Sequence, residues 1–274
     1  MISILILTLN EEINISECLD SVSWCKDVVV LDSGSRDKTV ALARKKKARV
    51  VTRPFDNWAS HQNWALKNIK FKNPWVFYLD ADERMTPELK EEILAIAADI
   101  PRPEKAFFCG RRNFFLGKWI RHAYPPSHIL RFFKPPFVRF ERLVNPAPVI
   151  RGPYGYLRNR FDHYNFSKGI AEWVEKHNRY STLEALEGIK DSGSGIPLGG
   201  LFSSDPYLRR KSLKALSFWM PFRPLLKFFY MYVLKLGFLD GGPGLTYCVL
   251  QAYYEYLIVL KMKEIRLKGR GVRT

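Results

Sequence analysis

The residues of this sequence best placed to do chemistry are Asp80 and Asp82, in the stretch WVFYLDADER from Trp75 to Arg84. Two carboxylates with one residue between them can share a hard divalent cation. Such an ion takes oxygen ligands and keeps substrate phosphates in its shell. The apolar run Trp75–Leu79 reads as a short buried strand, so the acids sit at its carboxyl end. In open α/β sheets that edge is where ligands bind. A plain structural reading competes: a strand, then a helix start with Thr86 as cap, Pro87 at the first helical position and Glu88 in the first turn.

Three earlier segments position this edge. Ser3–Leu9 is an apolar strand ending in Asn10-Glu11-Glu12, followed by a helix over 14–22. Asp27–Leu31 is a second strand that stops at Asp32, with the turn Ser33–Asp37 and a helix over Thr39–Lys47 after it. Ala48–Thr52 is a third strand, Trp58–Ile69 a helix, and Trp75–Leu79 the fourth strand. Strand alternating with helix means βαβ units and a mainly parallel sheet with helices on both faces. Residues 8–12, 32–37 and 80–83 then converge on one edge. An Asp at the end of the second strand is where dinucleotide-binding folds place a carboxylate on a ribose hydroxyl. Yet the chain has neither GxGxxG after its first strand nor GxxxxGK[ST], which disfavours a Rossmann dehydrogenase or a P-loop enzyme. A pyrophosphate would need another countercharge, and a metal on Asp82 would supply it.

Four ordered motifs carry a resemblance: Thr8-Leu9-Asn10-Glu11-Glu12, Asp32 through Thr39 (DSGSRDKT), Gln62-Asn63-Trp64-Ala65-Leu66, and Leu79-Asp80-Ala81-Asp82-Glu83. Together they resemble family 2 glycosyltransferases. The resemblance implies a GT-A fold, a nucleotide-diphosphate sugar donor (UDP-linked), Mg2+ or Mn2+, and inversion at the anomeric carbon. By that analogy Thr8, Leu9, Asn10 and Glu12 line the nucleotide pocket with Ser33, Gly34, Gln62 and Asn63, and Asp32 holds the base or ribose. Asp80, Ala81 and Asp82 meet the diphosphate, and Asp82, with Asp80, ligates the metal.

The chain changes character after residue 100. Between Pro101 and Arg160 there are 13 Lys+Arg and 2 Asp+Glu, a net +11, interleaved with aromatics. This suits an acceptor side, since arginines take phosphates bidentately. Phe107, Phe108, Phe114 and Phe132 also fit a plain core. After Glu104 the one carboxylate there is Glu141, and an inverting transfer needs one general base. Phe140-Glu141-Arg142-Leu143 resembles the His-Glu-Arg-Leu of a subgroup related to lipopolysaccharide-core β-glucosyltransferases, with Phe140 in place of His. Glu141 is the expected base; an ion pair with Arg139 or Arg142 is the competing role. By the same resemblance His163 approaches the metal or diphosphate. Ser167–Leu186 reads as a helix, with His177, Asn178 and Tyr180 candidates for an acceptor cleft.

The net charge of +17 calls for an anionic partner. The expected organisation is a catalytic domain over 1–190 (nucleotide-sugar half 1–100, acceptor half 101–190), a Gly/Ser-rich flexible loop over 191–204, and a basic amphipathic helical region over 205–274. That last region has 13 Lys+Arg against 4 Asp+Glu, and helices are expected over Leu208–Met220, Pro221–Gly237 and Gly244–Lys263. None is a clean spanning segment. Lys and Arg around apolar and aromatic faces suit an anionic membrane surface; a homo-oligomer through the same helices is the competitor. Lys235–Gly241 (KLGFLDG) also resembles the subgroup. The four cysteines lack metal or disulfide spacing and Met1–Leu9 is too short for a secretory signal, so a cytoplasmic protein peripheral on the inner face of the cytoplasmic membrane is expected. Its acceptor would be a lipid-linked or phosphorylated glycan, or a capsule, exopolysaccharide or protein acceptor. No nucleic-acid module is found, and strand-edge acids would repel phosphates without a metal. A basic non-catalytic binding protein or scaffold is the alternative from a different class.

Overall fold

The structure is a computed structural model. It describes residues 1–99, 101–124, 128–141, 146–193 (the backbone alone at 190–193), 202, 209, 212, 213, 216, 220 and 222–271. Two compact units emerge: Met1–Gly117 with Pro126–Ser167, and Lys118–Pro125 with Lys168–Thr274. The expected boundary at 190 instead falls inside a helix.

The first unit runs β1 (Ile2–Thr8), α1 (Ile15–Ser21), β2 (Val28–Asp32), α2 (Thr39–Lys45), β3 (Arg49–Thr52), α3 (Trp58–Asn68), β4 (Trp75–Asp80), β5 (Glu83–Arg84), α4 (Pro87–Ala98) and β6 (Ala106–Phe115). After β7 (Lys118–Ile120), which belongs to the second unit, come β8 (His128–Phe133), β9 (Val138–Glu141), β10 (Ala147–Ile150) and β11 (Tyr154–His163). The four strands read from the apolar runs are all present. β1 shows why: it is buried along its length, and alternate side chains feed two cores. Ile2, Ile4 and Ile6 pack with Ile15 and Leu19 of α1, Ala43 of α2, and Leu89 and Ile93 of α4. Leu5 and Leu7 join the cluster that holds Ala59 and Ala65 of α3. Helices therefore cover both faces.

The sheet order is β3-β2-β1-β4-β8-β6-β11-β5. β3, β2, β1 and β4 are parallel; β8 lies antiparallel between β4 and β6; β11 is parallel to β6; and β5 closes the edge antiparallel to β11. Phe132 of β8 stacks on Trp75 at 4.6 Å between centroids, and Phe107 and Phe132 are buried as the plain-core reading expected. β9 and β10 form a separate antiparallel pair. α4 begins as read from sequence: Thr86 accepts from the Leu89 N–H at 3.2 Å and Pro87 opens the first turn.

In the second unit α5 (Gly169–Gly193) outruns its expected end at Leu186, because its apolar face continues to Ile189 in a cluster with Ala185, Ile258 and Met262. Helix over Pro221–Gly237 is overturned in part. α6 (Arg223–Phe229) passes into a π-turn over Tyr230–Leu234, and Leu236 takes a left-handed φ of 58° that ends it. α7 (Gly241–Lys268) is longer than expected. Of the expected helix over Leu208–Met220 only Arg209, Ser212, Leu213, Leu216 and Met220 are described, the first four as helix; most of the expected loop over 191–204, and Arg142-Leu143, lie outside the described residues.

The KLGFLDG segment has a physical reason in this unit. The Asp240 carboxylate accepts the N–H groups of Arg121, His122 and Ala123 at 3.1, 2.9 and 2.9 Å, and bonds His122 Nδ1 at 3.0 Å. Burial opposes the charge, but these donors hold Asp240 below the usual carboxylate range. Gly237 leaves no space for a Cβ, which would lie 2.6 Å from the Met231 carbonyl. His177, Asn178 and Tyr180 are engaged within this unit. His177 stacks on Trp173 at 3.7 Å, burial pushes it down to about 4, and Asn178 takes Lys261 Nζ through its backbone and side-chain oxygens. No helix among the described residues is long and apolar enough to cross a membrane.

Candidate active site

The parallel register sets Thr8 beside Asp32. Thr8 Oγ1 donates to Asp32 Oδ1 at 3.0 Å, and the Ser35 hydroxyl donates to the same oxygen at 2.5 Å. The N–H groups of Gly34 and Ser35 donate to Oδ2 at 2.9 and 2.8 Å. Buried Asp32 thus builds the loop after β2. Gly34 has φ +95°, a conformation that favours glycine. The loop after β1 is laced to it. Asn10, itself at φ 53°, donates its N–H to Ser35 Oγ at 2.8 Å and accepts from the Arg36 N–H at 2.9 Å. Glu12 accepts the Lys38 N–H at 3.0 Å, and Leu9 is exposed. Thr8, Asn10, Glu12, Asp32 and Gly34, with Leu9 and Ser33 between them, therefore come together at one edge, whereas Gln62 and Asn63 bond elsewhere. The acceptor oxygens of Asp32, Asn10 and Glu12 hold the two loops to each other.

At the end of β4, Asp80 and Asp82 are placed differently. The Tyr78 hydroxyl donates to Asp80 Oδ1 at 2.6 Å, and Arg131 Nη2 donates to Asp80 Oδ2 at 2.8 Å and to Glu83 Oε1 at 2.6 Å. Glu83 Oε2 takes the Asp80 N–H at 2.9 Å. Gln62 Nε2 supports the set by donating to the Tyr78 oxygen at 3.3 Å. Glu83 is 0% exposed and Arg131 4%. Burial pushes the Glu83 carboxyl up to about 8; Arg131 opposes the shift, and Asp80 and Asp82 add to it. One guanidinium thus faces more than one acid.

Asp82 sits beyond this cluster, after buried Ala81. The β5–β11 pairing sets His163 opposite Glu83, and the Tyr164 N–H donates to the Asp82 carbonyl at 2.9 Å. This brings His163 Nε2 within 3.5 Å of Asp82 Oδ2. His163 Nδ1 is 2.8 Å from Asn113 Oδ1. An amide oxygen only accepts, so Nδ1 carries a proton and, in the neutral ring, the Nε2 lone pair faces a carboxylate. In the neutral ring that nitrogen and the carboxylate could share a cation; in the protonated ring Nε2–H would instead pair with Asp82. Among the described residues no group of three His, Cys, Asp or Glu could hold a metal. An ion held here would have these two protein ligands and would complete its shell with phosphates and water.

Glu141 ends β9 with its side chain 49% exposed and paired to Arg139 at 2.7 Å. An exposed pair of this kind is weak. Strand alternation sends Phe140 the other way, into the core beside Phe133. Asn63 of α3 accepts the Phe140 N–H and donates to its carbonyl, both at 2.8 Å. Asn63, expected at the nucleotide, thus holds the strand that carries Glu141. Sequence reading missed Tyr78, Arg131 and Asn113. A lone Arg in the apolar run HILRFF was the available signal for the second; nothing local marked Asn113.

The sequence profile of the Glycosyl transferase family 2 matches residues 3–160, more than half of the chain and every strand-end motif described above. The chain belongs to this family. The glycosyltransferase is similar to an uncharacterized glycosyltransferase of Rickettsia bellii, 39% identical over 97% of this chain and 87% of the relative. It is also similar to the lipopolysaccharide core biosynthesis glycosyltransferase LpsC of Rhizobium meliloti, 29% identical over 69% of this chain and 72% of that protein. A crystal structure of glucosyl-3-phosphoglycerate synthase from Mycobacterium tuberculosis, in complex with Mn2+, UDP and glucosyl-3-phosphoglycerate, overlaps 43% of this chain and 44% of that one at 25% identity. Its TM-score of 0.33 is too low to bear on the site. The α/β sheet of the first unit is the GT-A type arrangement that the motifs implied.

Proposed function

We propose that this glycosyltransferase is metal-dependent and inverting. It moves a sugar from a UDP-linked donor to a hydroxyl of a lipid-linked surface glycan of lipopolysaccharide-core type. The carrying observation is the 3.5 Å approach of His163 Nε2 to Asp82 Oδ2, with the other His163 nitrogen committed to Asn113. Asp82 and His163 would hold Mg2+ or Mn2+, which when bound supplies positive charge to the departing diphosphate. Asp80 is fixed by Tyr78 and Arg131 and aligns the turn that presents Asp82. Glu141 is assigned to take the proton of the acceptor hydroxyl, whose oxygen bonds the anomeric carbon as the bond to the diphosphate breaks. Its partner Arg139 is itself exposed, so the ion pair opens at little cost.

Likeness to LpsC supports the acceptor class. The second unit supports a peripheral site on the inner face of the cytoplasmic membrane: Phe222, Leu225, Phe229, Leu234 and Leu239 are exposed, whereas two of its acids, Asp240 and Glu255, are turned inward and Glu175 and Glu264 face solvent. That leaves Lys227 and Lys235 as the charged side chains among those apolar groups. The test is a nucleotide-sugar screen for Mn2+-dependent diphosphate release by the wild type and Glu141→Gln. Release confined to UDP-sugars, with turnover in the variant down about a hundredfold or more, supports the reading. Full turnover by Glu141→Gln removes Glu141 as the base.

A further inference from the structure

Ser33 lies in the loop that leaves β2, next to Asp32. Asp32 was expected to meet the base or ribose, but its two oxygens accept four hydrogen bonds from Thr8, Gly34 and Ser35. Recognition at this edge falls to a neighbour. The Ser33 hydroxyl is 3.3 Å from Nε2 of His61, a buried residue of α3. The other nitrogen, Nδ1, is 2.8 Å from Nη1 of Arg53. A guanidinium has donors and no acceptor, so Nδ1 accepts. The ring proton is then on Nε2, and Nε2–H donates to Ser33 Oγ. Burial pushes His61 below its ordinary range, and the Arg53 charge adds to this, which preserves the Nδ1 lone pair.

Arg53 is fixed in turn. The two oxygens of Asp56 take its Nη1 and Nη2 at 2.9 and 2.7 Å, and its guanidinium lies 5.5 Å from the Trp64 ring centre. Arg53 therefore donates both ways, to the carboxylate of Asp56 and to His61 Nδ1, and the remaining ring proton, on Nε2, points toward Ser33. Since its oxygen accepts from His61, Ser33 keeps its own O–H to give. Among the described residues no side chain or carbonyl takes that proton, and the residue is partly exposed at the sheet edge.

We propose that Ser33 is a specificity-determining hydrogen-bond donor to an acceptor oxygen of the donor nucleoside, with His61 as the positioning residue that fixes its polarity. This rests on the reading of the strand edge as a nucleotide site. The imidazole sets a direction that an amide can reproduce and a carboxylate reverses. In His61→Gln the amide oxygen accepts from Arg53 and the amide nitrogen donates to Ser33. In His61→Glu the carboxylate pairs with Arg53 but draws the Ser33 proton inward, away from the ligand.

The experiment is titration calorimetry of UDP with Mn2+ on the full chain, with thermal melts to establish folding. Loss of one neutral hydrogen bond weakens binding by about five- to tenfold. That loss is expected for Ser33→Ala and for His61→Glu, with no further loss in the double variant. His61→Gln and Ser33→Thr stay within about twofold of wild type by the same reasoning. Wild-type affinity in Ser33→Ala or His61→Glu overturns the proposal, as do fully additive losses in the double variant. Should His61→Glu not fold, Ser33→Ala against Ser33→Thr decides: weak against tight upholds the donor role, equal affinity overturns it. A wild type that binds none of UDP, GDP and TDP with Mn2+ overturns the nucleotide reading itself, a result distinct from wild-type binding that is indifferent to Ser33.

Discussion

Asn63 grips the peptide of Phe140 from both sides, accepting its N–H and donating to its carbonyl at 2.8 Å each. The pair is 77 residues apart in sequence. It fastens α3, on the nucleotide side, to the strand whose next residue is Glu141. Asn63→Ala removes both bonds and leaves two peptide groups to find water. We expect kcat to fall at least about tenfold with a smaller change in the donor KM, because the loss moves the strand and not the donor pocket. Steady-state kinetics on both substrates check this; an unchanged kcat would show that β9 needs no such anchor.

The buried acids give a pH dependence with a definite sign. Glu83 is pushed up to about 8 from 4.5, so the folded state binds its proton more tightly than the unfolded chain. The stability this contributes is complete below about 4.5 and is lost as pH rises toward 8, at up to about 1.4 kcal/mol per pH unit. Thermal melts across that range should show a fall that Glu83→Gln flattens. Arg131→Met removes the charged partner of Asp80 and a donor to Glu83, and a loss of stability is expected. A melting profile identical in wild type and Glu83→Gln would place the proton elsewhere.

Much of this was legible in sequence and part was not, for physical reasons. A strand buried on both faces leaves a continuous apolar run, so β1, β2 and β4 and the acids at their ends could be read directly. Asp80 and Asp82 look equivalent on paper. Only the fold shows that Tyr78 and Arg131 occupy Asp80 whereas Asp82 faces His163, because Arg131 arrives on an antiparallel strand 51 residues later. Asp32 and Asn10 were found as members of the edge, but motif spacing does not show which atoms are consumed in building the loops. The break in helix after Phe229 was missed because YMYVLKL is as apolar and helix-compatible as the turn before it. The left-handed turn at Leu236 depends on Gly237 packing against Met231 and Cys248, contacts with no local signature.

Asn113 fixes the His163 ring by accepting from its Nδ1. In the proposed metal site, His163 is a ligand and Asn113 its outer partner, and removing such a partner costs about 10–100-fold in metal affinity or activity. Asn113→Ala is therefore expected to raise the Mn2+ concentration for half-maximal activity by about that factor, with turnover recovered at saturating metal. His163→Ala should be harder to rescue. Titration of activity with Mn2+ checks both, and an unchanged metal requirement in His163→Ala would remove His163 from the site.

Membrane contact is tested by flotation. Full-length protein should float with anionic vesicles at low salt and less so as salt rises, because the Lys contribution is screened. Replacing Phe222, Leu225 and Phe229 by Ser should abolish flotation without changing the melting temperature, since all three are exposed. If the triple variant still floats, the apolar face is not the contact; if instead wild type dimerises and the variant does not, that face joins two subunits.

The most direct test of the account is UDP binding by Asp82→Ala with and without Mn2+. Asp82 faces His163, and the proposed diphosphate site needs a cation there. Wild type should bind UDP at least about tenfold more tightly with Mn2+ than without it, and Asp82→Ala should bind weakly and equally in both. UDP affinity that responds to Mn2+ in Asp82→Ala as fully as in wild type would contradict it.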